Sequence, residues 1–287
     1  MESILAADGT RIAYHRSGDG PPLVLVHGTA DDHTLWAPLL TPLGERFTVY
    51  ALDRRGRGGS GATNAATYAI EREFGDVAAV VEAIGGPVHL LGHSYGALCA
   101  LESALRTDDL GKLVLYEPPI PIPPGSAISP PGTLEKMESL LEAGNREGVL
   151  LTFARELAQL PEEEIIALRS MPEWQASVDA APTIVHEVRA VDGYVFDPAR
   201  FGSLTTPTLL LLGGESPPFL KAATEAVAAA LPQCRLAVLP GQGHRAMETD
   251  PARLLEEVVP FLTEEWAGIG ADAGGVAAPM PAVMPRS

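Results

Sequence analysis

Two cysteines among 287 residues, Cys99 and Cys234, stand far apart in stretches that read as a helix and a strand. They exclude a disulfide framework and any metal centre built on cysteine. Basic residues are scarce as well: 20 Lys and Arg face 37 Asp and Glu, for a net charge of -17. A surface of that sign repels nucleic acid and anionic membranes. No apolar run reaches the 18 or so residues that a membrane span requires. Met1-Glu2-Ser3-Ile4 also lacks the basic-then-apolar pattern of a secretory leader, so a cytoplasmic setting is expected. The stretch Asp53-Arg54-Arg55-Gly56-Arg57-Gly58-Gly59-Ser60-Gly61 offers glycines and arginines but no phosphate-loop lysine, and no G-x-G-x-x-G opening a helix. Nucleotide binding is set aside, and an arginine-rich loop pinned by Asp53 is expected instead.

What the chain does contain is organised around Gly92-His93-Ser94-Tyr95-Gly96. The apolar run Pro87-Val88-His89-Leu90-Leu91 enters it and the helix-prone run Ala97 to Leu105 leaves it. In a strand, sharp turn and helix, the G-x-S-x-G spacing puts a serine in strained backbone, while the flanking glycines let strand and helix pass without Cβ clashes. The serine oxygen then stands above the sheet edge. The next backbone N–H, that of Tyr95, opens the helix and can hold an oxyanion.

The pattern on either side is an alternation of buried strands and helices. Ile4 to Ala6 and Arg11 to His15 flank Asp8-Gly9-Thr10 as an antiparallel hairpin at one sheet edge. Pro22-Leu23-Val24-Leu25-Val26 reads as a parallel strand buried on both faces, ending in His27-Gly28-Thr29-Ala30. Leu35 to Leu43 predicts a short helix broken by Pro38 and Pro42, Phe47 to Leu52 a strand, and Tyr68 to Ile84 an amphipathic helix. Further strands are expected at Lys112 to Tyr116, Thr208 to Leu212 and Arg235 to Leu239, and a last helix at Ala252 to Trp266.

These residues resemble the α/β-hydrolase superfamily, with His27-Gly28 as oxyanion loop and Gly92-His93-Ser94-Tyr95-Gly96 as nucleophile elbow. The resemblance covers residues 4–119 and 205–266. It implies an α/β fold: a mostly parallel eight-stranded sheet flanked by helices, with a helical cap inserted after the strand ending at Glu117. It also implies a site in the chain order serine, acid, histidine. Ser94 is then the nucleophile, and the N–H groups of Thr29 and Tyr95 are the oxyanion donors. His244, in the glycine-flanked loop Pro240-Gly241-Gln242-Gly243-His244, is the proton carrier, since an imidazole side chain can accept and return a proton. The acid departs from the commonest family pattern, because the loop after Thr208 to Leu212 reads Gly213-Gly214-Glu215-Ser216-Pro217-Pro218, without an aspartate. Two glutamates compete: Glu117, favoured by the likeness of Tyr116-Glu117-Pro118-Pro119 to members carrying the acid after the earlier strand, and Glu215. Of the other histidines, His27 and His93 read as turn packing, His89 as a strand residue, and His15, His33 and His186 show no partner pattern.

Three units are expected: an α/β-hydrolase core over 1–119 and 205–266, a helical cap over 120–204, and a flexible tail over 267–287. Cap helices are predicted at Thr133 to Ala143, Arg146 to Leu160, Pro161 to Ser170 and Trp174 to Val191. Leu140, Leu141, Leu150, Leu151, Phe153, Leu157, Trp174 and Val178 would form the cap's underside or its own core. The expected activity is hydrolysis of an apolar carboxylic ester or lactone through an acyl-enzyme, with no metal or organic cofactor. A homodimer is admitted as an assembly. An aspartate at the elbow would suit an epoxide hydrolase or haloalkane dehalogenase, and Ser94 argues against both. A non-hydrolytic lyase, isomerase or cyclase, and a ligand receptor, are the competing readings.

Overall fold

The computed structural model describes residues 1–63 and 68–265. Its core is one eight-stranded sheet in the order β1-β2-β4-β3-β5-β6-β7-β8. The strands are β1 (Glu2–Leu5), β2 (Arg11–Ser17), β3 (Pro22–Val26), β4 (Thr48–Leu52), β5 (Val88–His93), β6 (Leu110–Tyr116), β7 (Thr208–Gly213) and β8 (Cys234–Leu239). Strands β1 and β2 form the antiparallel edge hairpin, with Leu5 opposite Arg11, β2 pairs antiparallel with β4, and the pairings among β3 to β8 are parallel.

Alternation along the central strands fills two cores. Leu23 and Leu25 of β3 join Leu91, Val114, Leu209 and Leu211 on one face, against α1 (Ala37–Gly44) and α11 (Pro251–Thr263). Val24 and Val26 join Leu90, Leu113, Leu115 and Leu210 on the other, against α2 (Ile70–Ile84), α3 (Tyr95–Ser103) and α9 (Pro218–Ala230). Burial on both faces is why these strands read as unbroken apolar runs.

Chain order reverses direction at β3. Strand β4 lies on one side of it and β5 on the other, which opens a crevice beyond the carboxyl ends of β3 and β5. The turns ending those two strands therefore face each other.

Between β6 and β7 stand five helices: α4 (Thr133–Glu142), α5 (Arg146–Thr152), α6 (Glu162–Arg169), α7 (Trp174–Asp179) and α8 (Ala181–Asp192). Met137, Val149, Leu157, Val178, Ile184 and Val185 give them a core of their own, separate from the sheet cores.

Several local expectations are corrected. Pro38 does not break the helix near Leu35 but occupies its first turn, where a missing N–H costs nothing, and only Pro42 lies inside α1. The preceding His33–Trp36 forms a separate 3-10 turn capped by Asp32. The run Trp174 to Val191 is two helices, broken at Ala180, because Pro182 suits only the first turn of a new helix. Arg146 to Leu160 is likewise interrupted, α5 giving way to a π-type turn at Phe153–Leu157. The last helix, α11, ends at Thr263, so Trp266 and the tail over 267–287 fall outside the described residues. No helix among the described residues is long and apolar enough to cross a membrane.

His89 on β5 supplies a pH test of this packing. Burial, reinforced by the charge of Lys112, lowers its pKa from 6.5 to about 4. The unfolded chain therefore takes up a proton that the folded chain refuses. The stability this contributes is complete above pH 6.5 and is lost as pH falls toward 4. Thermal melts should show the wild type losing more stability between pH 7 and pH 5 than His89→Gln; equal slopes would contradict the assignment.

Candidate active site

Ser94 joins β5 to α3 with φ 53° and ψ -125°, a conformation that L residues rarely adopt. Neighbouring backbone enforces it. A Cβ at Gly92 would lie 2.4 Å from the Gly96 carbonyl oxygen, and one at Gly96 2.2 Å from that of Val26. Strand, turn and helix are thus packed to a distance only glycine permits. Ser94 is half-buried while its four motif neighbours are buried, so its hydroxyl is the part of the turn offered to the cavity. The Tyr95 N–H, first in α3, has no acceptor within the helix.

The turn after β3 meets this elbow directly, since a Cβ at Gly28 would stand 3.0 Å from the Ser94 Cβ. Arg54 holds that turn in shape. Its Nε donates to the His27 carbonyl and its Nη2 to the Gly28 carbonyl, both at 3.0 Å. The Arg54 backbone N–H donates to His27 Nε2 at 3.1 Å, which leaves the proton on Nδ1 to donate to Gly28 O at 2.8 Å. Burial, then the nearby Arg54 charge, keeps this imidazole neutral by lowering its pKa well below 6.5. Thr29 and Ala30 follow, both lining the cavity, Ala30 with φ 68°.

Arg54 is itself buried and needs counter-charges. It donates to Glu73 on α2 at 2.5 Å and to Glu187 on α8 at 2.9 Å. Burial opposes its charge, but Glu187 and Glu73 outweigh that and raise its pKa well above the usual value. Tyr68 donates to the second oxygen of Glu73 at 2.6 Å, and the Arg54 guanidinium lies 4.6 Å from the centre of the Tyr95 ring. None of this buried network was legible in the sequence, because its members come from four separate segments. The expected arginine loop is present, and Asp53 does pin it, but through the N–H groups of His33 and Gly59 rather than through an arginine.

On the far side, Glu117 follows β6 in the same left-handed backbone as Ser94, with φ 50°. The two share a row because His93 and Tyr116 are register partners. Glu117 is fully buried. Its Oε1 accepts the Gly213 N–H at 2.6 Å and its Oε2 lies 2.5 Å from Nδ1 of His244. The loop carrying His244 is fixed by neighbours: His93 donates from Nε2 to the His244 carbonyl at 2.8 Å, and the Tyr116 hydroxyl donates to the Gly243 carbonyl. Next along, Arg245 pairs with Asp31 at 3.1 Å and with Glu248 at 2.5 Å. Glu215 is exposed; only its backbone N–H reaches this loop, donating to the Gln242 carbonyl. Glu117, Ser94, His244, Thr29 and Tyr95 are thus gathered at one end of the sheet, with Glu215 turned away.

Two histidines have partners that the sequence did not reveal. His93, read as turn packing, supports the His244 loop, and burial holds its pKa well below 6.5. His33 pairs with Asp53 at 2.8 Å. Asp32, His33 and Asp53 are the one cluster among the described residues with metal-ligand spacing. Its oxygens, however, already accept the N–H groups of Thr34, His33 and Gly59.

Ser94 and His244 open on one cavity of about 600 Å³. Leu150, Phe153, Leu157 and Trp174 line it from the inserted helices, whereas Leu140, Leu141 and Val178 pack in those helices' own core and Leu151 is half-buried.

The profile of the alpha/beta hydrolase family matches residues 23–257. The chain belongs to the alpha/beta hydrolase family. It is 32% identical over 216 residues to N-formylmaleamate deformylase of Pseudomonas putida, covering 73% of this chain and 77% of that protein. It is 30% identical over 170 residues to the probable oxidoreductase EphD of Mycobacterium tuberculosis, covering 58% of this chain but only 27% of the relative's length. The crystal structure of an alpha/beta hydrolase from Sphaerobacter thermophilus superposes with a TM-score of 0.80 at 33% identity, covering 91% of this chain and all of the other.

The close packing at the Ser94 turn is directly testable. Gly96→Ala drives a Cβ into the Val26 carbonyl and should cost about 3 kcal/mol, the upper part of the range for overpacking. Urea unfolding measures it, and an unchanged midpoint would contradict the close approach.

Proposed function

We propose that this chain is a serine hydrolase that cleaves a carboxylic ester or lactone through an acyl-enzyme on Ser94. The observation that carries the reading is the buried Glu117 carboxylate against Nδ1 of His244, at the edge of the cavity that Ser94 lines. With Nδ1 engaged, His244 has Nε2 left to take the Ser94 proton. Glu117 fixes that tautomer and stabilises the imidazolium as it forms. Its second oxygen is held by the Gly213 N–H, so the carboxylate cannot turn away.

The serine oxygen attacks the carbonyl carbon, and the negative charge that develops on the carbonyl oxygen meets the N–H groups of Thr29 and Tyr95. A donor of this kind contributes about 3 kcal/mol to the transition state. His244 then gives its proton to the leaving oxygen, and a water activated by the same imidazole releases the acid. No step calls on a metal or an organic cofactor. The segment 120–204 acts as a cap in this scheme, its apolar side chains screening the acyl-enzyme from bulk water. The relationship to a protein named a deformylase supports acyl chemistry at such a site.

Variants separate the two candidate acids. With a 4-nitrophenyl ester, Glu117→Gln should lower kcat by roughly 10⁴-fold, as a mis-set tautomer does in a serine triad, while Glu215→Gln keeps wild-type turnover. The reverse order would transfer the role to Glu215. Ser94→Ala with wild-type turnover would remove the nucleophile from the scheme.

A further inference from the structure

We propose that Arg57 receives a carboxylate of the substrate, so that the ester or lactone cleaved at Ser94 also carries a free acid group. The inference rests on Ser94 being the nucleophile and adds the substrate's class.

Arg57 stands between Gly56 (φ 74°) and Gly58 (φ 46°) in the turn after β4. The backbone on either side of it is thus in the left-handed region, and the side chain lies along the cavity wall with 4% of its surface exposed. Its Nη2 donates to Glu187 at 2.9 Å. Its Nε and Nη1 have no partner among the described residues. A buried cationic donor left without an acceptor is destabilising, so its persistence at a cavity wall needs a reason.

Glu187 meets Arg57 through one oxygen only, its Oε2 having no partner among the described residues. The oxygen that receives Arg57 also receives Arg54 Nη2, at 2.9 Å in each case. Arg54 in addition has Glu73, whereas Arg57 has only this shared oxygen.

Of the other charges around the cavity, only Glu187, through its Oε2, has a buried atom without a partner among the described residues. Arg245 is held by Asp31 and Glu248, and Asp32 caps the turn at Thr34. Glu173 and Asp179 are exposed, where solvent screens them. Arg57 is therefore the one cation of the lining, among the described residues, with unpartnered guanidinium donors. Leu35, Ile165, Val188 and Phe219 make much of the remaining wall apolar. A wholly apolar acyl chain would leave the guanidinium donors unmet, while a carboxylate answers them with charge-assisted hydrogen bonds. Ser94 and Arg57 line the same cavity of about 600 Å³, a size that suits one small molecule.

The test compares 4-nitrophenyl hemiglutarate with 4-nitrophenyl valerate, an uncharged ester of equal chain length, using the full chain. Wild type should favour the hemiglutarate by tenfold or more in kcat/KM. In Arg57→Gln that ratio should fall at least tenfold, with the change carried by KM, and Arg57→Lys should retain part of the preference. An equal loss on both esters in Arg57→Gln would make the residue a structural partner of Glu187 and overturn the proposal, as would a wild type without preference. Should Arg57→Gln not fold, the wild-type ratio and Arg57→Lys still decide. Turnover of the valerate reports separately on the nucleophile. Neither ester being cleaved by folded wild type would refute the hydrolase reading and this proposal with it; cleavage without preference refutes this proposal alone.

Discussion

The close packing of three backbone segments at Ser94 is the constraint on which the site depends. Strand β3, strand β5 and helix α3 approach so tightly that a methyl group at Gly92 or Gly96 would overlap a main-chain carbonyl. That approach forces Ser94 into left-handed backbone and sets the Tyr95 N–H at the helix start. Such strain persists only when surrounding structure over-determines it. Here the two sheet cores do so, because both faces of β3 and β5 are filled. Glu117, in the same register row at the end of β6, likewise has a positive φ. Two turns of positive φ on adjacent strands thus place the proposed nucleophile and the proposed acid at one end of the sheet, with His244 against the Glu117 carboxylate.

A second layer, made of buried charge, supports the first. Arg54 ties the carbonyls of His27 and Gly28 to Glu73 on α2 and to Glu187 on α8. Buried ion pairs give little net stability, since desolvation offsets most of their attraction, but removing one partner leaves a charge stranded at a cost of about 3–5 kcal/mol. The physical return lies in position: the turn that carries Thr29 is fixed through one guanidinium to both the sheet core and the inserted helices. Docking of those helices and the shape of the proposed oxyanion site are therefore parts of the same network.

The sheet and the elbow were legible in the sequence because their signals are local. Continuous apolar runs mark β3, β5 and β7, and the glycine spacing around Ser94 marks the turn. His244 was singled out as a candidate by a glycine-flanked loop after the last strand together with the family resemblance. For the proposed acid, Glu117 was favoured over Glu215 by the family resemblance alone, because both glutamates follow strands whose ends lie near His244. Only the register of β5, β6 and β7 distinguishes them, and register depends on pairings between distant segments. The roles of His93, Tyr116 and Arg54 were hidden for the same reason: each acts on a carbonyl or carboxylate far away in the chain. Helix breaks at Ala180 and at Phe153 were missed where apolar spacing ran through a proline or a change of helical pitch without interruption.

The central claim is that a carbonyl compound becomes covalently attached to Ser94. Acid quenching within the first turnover of a 4-nitrophenyl ester, followed by peptide mass mapping, tests it most directly. The account predicts an added acyl mass on the peptide containing Ser94 that accumulates and then decays as the free acid appears. Ester turnover with no acyl mass on that peptide, or with the mass on another residue, would contradict it.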